Sequence, residues 1–334
     1  MRLSVFCEND RVLLVGEGNF SFAVALLNQG IKIKMTATCY ESVVASEIRM
    51  KNIEYLKKND VDVLLGVDAT KLTERSELNL KRFDKIIFNF PHVGGKMKID
   101  KNRDLLKRFF LNCGECLEPS GQVLVTLCKG QGGTAADNPQ RRWDDSWQIV
   151  EMAAHGNFIL KTVEPFQLTL FPNYSNTGYR SMEKRFNIEN SLTHFFIKSR
   201  LPDVWSIKPA NQLALQEFKQ GITWKQIIDI ANSTEFSINE FHDSPIFKFD
   251  ITFAITADFS QYKLFETLYN SAGQIIHDVT FVRSYTFPRS GKQTKTYRIS
   301  YTSYRLPLYR KRVIDIHQNI IAKILEDQLN VIIT

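Results

Sequence analysis

Through the first 200 of its 334 residues, the chain alternates short apolar runs with stretches where apolar residues recur every three or four positions. Short runs bounded by turn formers read as strands, and the recurring pattern reads as amphipathic helix. Strands are expected at RVLLVG, KMTATCY, VDVLLGVDA, FDKIIFNFP and GQVLVTLCKG, with helices over Glu41–Asn59 and Lys101–Leu117 among others. Apolar strands separated by helices predict a mostly parallel sheet covered on both faces, an α/β Rossmann-like domain. Two later runs, FILKTVEPF and LTHFFIK, are expected to pair antiparallel at an edge.

From about Leu201 the pattern changes. Residues 201–243 carry short helical pieces with prolines at both ends and read as a connector. From Ser244 to Thr334 the order is strand, helix, strand, strand, helix: IFKFDITFAIT, FETLYNSAG, QIIHDVTFVRSYTF, KTYRISYTSY and KRVIDIHQNIIAKILEDQ. This is the order of an α+β ferredoxin-like, split βαβ module. The expected organisation is therefore 1–200, 201–243 and 244–334.

Composition narrows the class. With 43% hydrophobic and 24% charged residues the chain can bury a sizeable core. No apolar run approaches the roughly 20 residues that span a bilayer, and MRLSVFCENDR lacks the apolar segment of a secretory signal. A cytoplasmic protein with no membrane partner is expected, with nuclear or nucleolar residence left open. The five cysteines lack disulfide spacing. Cys113 and Cys116 form a CxxC without the second ligand pair that structural zinc needs, so no metal is expected. They read as two thiols packed between a helix and a sheet, or as a redox pair.

The net charge of +7 is uneven. Residues 244–334 hold 12 Lys and Arg against 7 Asp and Glu, a balance of +5, and nine basic residues with no acid lie between Val279 and Ile314. Within that stretch Arg283, Arg289, Lys292, Lys295, Arg298 and Arg305 alternate with Tyr285, Phe287, Tyr297, Tyr301 and Tyr304. Cations for phosphates interleaved with aromatics for stacking suit RNA. Strand alternation also implies that several of these aromatics are core residues.

Ligands of an open parallel sheet bind at the carboxyl ends of its strands. Here those ends read Gly16-Glu17-Gly18-Asn19-Phe20-Ser21, Tyr40-Glu41, Asp68-Ala69 and Asn89-Phe90-Pro91-His92. The first is not a dinucleotide fingerprint: Ser21 stands where the third glycine belongs, and Glu17 would repel a pyrophosphate. S-Adenosyl-L-methionine has no phosphate and carries a positive sulfonium. Glu41 suits its ribose hydroxyls and Asp68 its adenine amino group. The glycines could equally serve a tight turn without a ligand, and Glu41 and Asp68 could cap local structure. Asn89 with Pro91 and an aromatic suits the holding of a flipped base in line with a methyl group. His92 is either the acceptor of the leaving proton or a residue that shapes the turn.

The strings LLVGEGNFSFAVAL, VDAT and FDKIIFNFPHVGGK, together with GQVLVTL and Gly178-Tyr179, resemble the Rossmann-like ribosomal RNA uridine-N(3) methyltransferase family across residues 10–200. The resemblance implies a class I methyltransferase domain using S-adenosyl-L-methionine on a uridine of ribosomal RNA. The segment 244–334 is similar to the ferredoxin-fold anticodon-binding domain, through Phe249-Asp250-Ile251, YRISYTSYRLPL and a final helix ending LNVII. The combination resembles the ferredoxin-fold anticodon-binding domain-containing proteins of animals, which implies transfer RNA as a second candidate partner. The loop at 129–148 is longer than the ribosomal RNA enzymes lead one to expect. A non-catalytic tRNA-binding protein with a vestigial Rossmann-like domain is the alternative reading, and an NAD-binding protein a weaker third.

Overall fold

The structure, a computed structural model, describes residues 1, 3–43, 46–94, 98–177, 187–199, 223–225, 244–303 and 305–334. Gly178-Tyr179, Tyr304 and nearly all of the expected connector lie outside the described residues. The chain divides into two units, Met1–Arg200 and Leu201–Thr334.

In the first unit, strands β1 (Arg11–Val15), β2 (Lys34–Thr38), β3 (Asp62–Leu64), β4 (Phe83–Asn89), β5 (Leu117–Leu127), β6 (Phe158–Pro165) and β7 (Leu192–Lys198) form one sheet. Its order is β3-β2-β1-β4-β5-β7-β6. β1 through β5 pair in parallel, while β7 runs antiparallel between β5 and β6. The helices are α1 (Ser21–Leu27), α2 (Glu47–Lys58), α3 (Ser76–Asn79), α4 (Ile99–Cys113) and α5 (Ile149–His155). This is a Rossmann-like α/β fold with a mostly parallel sheet. Neighbouring strand residues supply opposite faces, as the pleat requires. Leu13, Ile86, Val123 and Phe196 join one core with Phe109, Phe110 and Phe158. Leu14, Ile87, Leu124 and Phe195 join the other with Phe22 and Phe166.

The elements differ from expectation where local chemistry intervenes. α2 begins at Glu47, six residues later than the periodicity predicts, because the Ser46 side chain caps it by accepting the Arg49 N–H. β3 is three residues long: Gly66, at φ +67°, turns the chain just past it. Cys113 and Cys116 are free and fully buried in the first core, where burial raises both thiol pKa values. Thiols in that state are poor nucleophiles, which favours packing over a redox role. Among the described residues, no group of His, Cys, Asp and Glu is arranged to hold a metal, and no helix is long and apolar enough to cross a membrane.

The second unit is β8 (Phe247–Ala254), α6 (Gln261–Ala272), β9 (Ile276–Thr286), β10 (Gln293–Tyr301), α7 (Arg310–Asp315), a π-helical turn (Ile316–Ile321), α8 (Ala322–Leu329) and β11 (Ile332–Ile333). Its antiparallel sheet runs β11-β8-β10-β9, the order of a ferredoxin-like fold. The last strand corrects the reading of LNVII as the end of a helix: Asn330 takes the left-handed conformation at φ 51°, and Ile332 and Ile333 then pair with β8. Phe253, Tyr297, Ile299, Tyr301, Leu268 and Val313 lie in the core between sheet and helices.

Candidate active site

The chain leaves β3 and crosses to the far side of β1, so the gap between β1 and β4 is the topological switch point of the first sheet. All four predicted strand ends fall along this edge, but their side chains are used unequally.

Gly16 sits at φ +69°, and a Cβ there would lie 2.5 Å from the Phe88 ring. Gly18 faces Thr177, whose Oγ1 would be 2.0 Å from an added Cβ. The loop between them is tied to the segment 174–177. Asn19 Nδ2 donates to Ser175 Oγ at 3.0 Å, and Ser21 Oγ donates to the Ser175 carbonyl at 3.0 Å. Phe20 takes the left-handed conformation at φ 62° and is fully buried, so the turn into α1 holds an aromatic where glycine would be unstrained.

Glu17 turns inward. Its carboxylate accepts the Ala23 N–H at 3.1 Å, and burial raises its pKa from 4.5 to about 7. The amide that a pyrophosphate would seek at the start of α1 is therefore already occupied. A pyrophosphate at this loop would have to displace that contact.

At the end of β2, Tyr40 is 57% exposed. Glu41 accepts a hydrogen bond from the Cys39 thiol at 3.2 Å and lies 3.7 Å from the Arg49 guanidinium. Arg49 is buried over the Phe20 ring and also donates to Cys39 Sγ and to the Glu41 carbonyl. Asp68 accepts both the N–H and the hydroxyl of Thr70 at 2.8 Å, the local capping role. Ala69 is buried beside it. The rim thus presents the carboxylates of Glu41 and Asp68 with its guanidinium withdrawn. That acceptor set fits a ligand with hydroxyls, an amine and positive charge, such as S-adenosylmethionine, better than a phosphate.

β4 delivers the most constrained group. Asn89 Oδ1 accepts the Thr126 hydroxyl at 2.7 Å, and Thr126 in turn bonds the Thr193 hydroxyl at 3.0 Å. Asn89 Nδ2 is buried and has no hydrogen-bond partner among the described residues. The following residue, Phe90, is left-handed at φ 53° and stacks on Tyr174 at 6.4 Å and 17°. Backbone strain of this kind persists where surrounding structure enforces it. Pro91 is buried. His92 Nδ1 accepts the Gly94 N–H at 2.7 Å, and partial burial lowers its pKa. The neutral ring therefore carries its proton on Nε2 and presents a donor outward. The Gly94 contact is the turn-shaping role that the sequence left open beside proton acceptance.

Sequence reasoning missed Thr126 and Thr193, whose only signal is a polar residue within an apolar strand. It also missed a cavity of about 510 Å³ beside His92, formed with Asn102, Gln131 and Trp147 and edged by Lys98, Arg141 and Arg142.

In the second unit the predicted basic residues do not share a face. β-Sheet pairing sets Arg298 opposite Asp250 and Arg283 opposite Thr296 on the sheet's open face. Lys295 is on the other face, 4.9 Å over the Phe259 ring. Arg289 and Lys292 are exposed at the β9–β10 turn, and Arg305 is exposed beyond β10. Arg298 donates twice to Asp250, at 2.7 and 2.9 Å, which spends its charge within the protein. Tyr297 and Tyr301 are fully buried, whereas Phe281, Tyr285 and Phe287 are exposed.

Residues 13–178 match the family described as "BMT5-like: rRNA (uridine-N3-)-methyltransferase BTM5-like". The chain is 47% identical over 194 residues to the mouse "Ferredoxin-fold anticodon-binding domain-containing protein 1 homolog", covering 57% of this chain and 31% of that protein. It is 24% identical over 241 residues to the Saccharomyces cerevisiae "25S rRNA (uridine(2634)-N(3))-methyltransferase", covering 56% of this chain and 69% of that one. The chain spans about a third of the length of its mouse and human relatives. Among solved structures, the glycopeptide N-methyltransferase MtfA with S-adenosyl-L-methionine aligns at 12% identity and a TM-score of 0.37, over 59% of this chain and 84% of MtfA.

Proposed function

We propose that the protein transfers a methyl group from S-adenosylmethionine to a base nitrogen of RNA, with the imide N3 of uridine as the acceptor. The observation that carries this reading is the Asn89 amide. Its oxygen is committed to Thr126, so the group it offers is the unpartnered Nδ2, a donor. A donor beside the reacting nitrogen suits a base whose nitrogen is flanked by carbonyls. It would stabilise the charge that develops there as the imide proton leaves to water. His92 Nε2–H is a second donor on the same strand end. Phe90 and Tyr174 form the aromatic wall behind it. The cofactor supplies the methyl group; alignment supplies most of the acceleration.

The second unit is read as the part that presents RNA, ribosomal or transfer, through Arg283, Tyr285 and Phe287 on β9 and its turn. Tyr285→Ala is expected to weaken binding of a single-stranded RNA by ~1–3 kcal/mol, the range for one base stack. Arg298→Ala should leave affinity within about twofold, because that guanidinium is already neutralised. Filter binding of the full chain checks both; equal losses would mean that Arg298 exchanges Asp250 for phosphate.

The cofactor reading is tested by calorimetric titration with S-adenosylmethionine and, separately, NAD. S-Adenosylmethionine alone is expected to bind, and Glu41→Ala to weaken it about tenfold, the loss of one charge-assisted hydrogen bond. A folded protein that binds neither would be the non-catalytic RNA-binding alternative.

A further inference from the structure

The cavity beside His92 shares no residue with the Gly16–Ser21 loop, Glu41 or Asp68, so it is a separate compartment from the rim that suits the methyl donor. Its walls come from the start of α4 and from the long loop at 129–148. That loop is held rigidly: Arg103 on α4 donates to the Ser146 carbonyl at 3.0 and 2.7 Å and to the Asp144 carbonyl at 2.7 Å. Trp147 N and Ile149 N donate to the Gln131 and Gly132 carbonyls. A cavity whose walls are fixed in this way loses little entropy on filling.

The lining is rich in donors. Asn102 is 3% exposed and its Oδ1 accepts the Val93 N–H, which leaves its NH2 without a partner among the described residues. Gln131 is used in the same sense: Oε1 accepts the Cys128 N–H, and the NH2 is left over. Lys98 and Arg141 make no ion pair among the described residues, and Arg142 is 3.8 Å from Asp144 at an exposed position. His92 adds its Nε2–H, and one carboxylate, Asp145, is the counterweight. Trp147 forms an apolar wall, its ring 6.0 Å from that of His92. Two free cations, neutral amide donors and an aromatic wall in about 510 Å³ match a small anion with a planar heterocycle attached.

We propose that this cavity binds a nucleoside 5′-monophosphate unit of the acceptor strand, with Lys98 and Arg141 on the phosphate and Trp147 against the base or sugar. The proposal rests on the reading of the first unit as an RNA base methyltransferase and gives that unit its own grip on RNA, independent of the second unit. It also accounts for the length of the 129–148 loop, which brings Arg141 and Trp147 to the cavity that His92 and Asn102 line.

The test is calorimetric titration of the full chain, without methyl donor, with uridine 5′-monophosphate, uridine and inorganic phosphate. The monophosphate is expected to bind at least tenfold more tightly than either of the others. A Lys98→Ala/Arg141→Ala double variant should lose at least tenfold for the monophosphate while keeping its melting temperature, since both side chains are exposed. Equal binding of uridine and its monophosphate, an unaffected double variant, or phosphate binding as well as the nucleotide would each overturn the proposal. S-Adenosylmethionine affinity, measured separately, keeps the two readings apart. Nucleotide binding without cofactor binding would support the cavity and sink the methyltransferase assignment; the reverse would sink only the cavity.

Discussion

Asn89→Ala is expected to lower the rate of methyl transfer by on the order of 10²–10³, the usual loss when one preorganised donor is removed from a site of developing charge. Cofactor affinity should stay within about threefold, because the rim residues that suit the methyl donor follow β1, β2 and β3 and are untouched. Thr126 offers a finer probe of the same idea. With Thr126→Val, Asn89 Oδ1 loses the hydroxyl that orients it, and the amide can turn. Thr126→Ser keeps the hydroxyl and should restore most of the rate. Single-turnover methylation of an RNA transcript, with cofactor affinity measured in parallel, checks both. A fall in cofactor affinity matching the fall in rate would instead make Asn89 part of the cofactor site.

Glu17→Gln is expected to stabilise the free protein at pH 8 by up to about 3 kcal/mol. The carboxyl pKa rises from 4.5 to about 7 on folding, and each unit is worth about 1.4 kcal/mol. The sign follows from proton counting. Between those two values the folded state holds a proton that the unfolded state has released, so stability falls as pH rises. Below pH 4.5 both states are protonated and the penalty is absent; above about 7 it is complete and constant. The glutamine oxygen can still accept the Ala23 N–H. Denaturation by urea at a series of pH values should therefore show wild type and variant converging near pH 4.5 and separating up to pH 7. A gap that does not change with pH would mean that Glu17 is ionised in the fold.

Much of the frame was legible in the chain itself. The apolar runs at β1, β4, β5 and β7 place their strands nearly where the structure has them, because a fully buried strand has few residue types to choose from. The strand–helix–strand–strand–helix order of the second unit was equally plain. Boundaries were less so. The late start of α2 depends on one serine side chain, and β11 is two residues long, below what periodicity can register.

The site divides along the same line. Glycines, carboxylates and Asn89 at successive strand ends are a property of the sequence once the sheet is assumed parallel, because every such strand ends at the same edge. What each side chain does there was decided by the partners the fold gives it, some near in the chain and some far. Glu17 faces α1 rather than a ligand, and the Asn89 amide is oriented by Thr126, 37 residues on. The tautomer of His92 depends on a turn amide two residues beyond it. The basic stretch of the second unit shows the limit most directly. Its charge was there to be counted, but strand pairing put Arg298 on Asp250 and Tyr297 in the core while leaving Tyr285 in solvent. The sequence by itself determined which elements form and which chemical groups reach the edge, since both follow from local pattern and strand polarity. Only the tertiary structure decided which of those groups are satisfied within the protein and which remain to meet a ligand, because partnership is set by the turn, helix and sheet geometry around each group and not by its residue type.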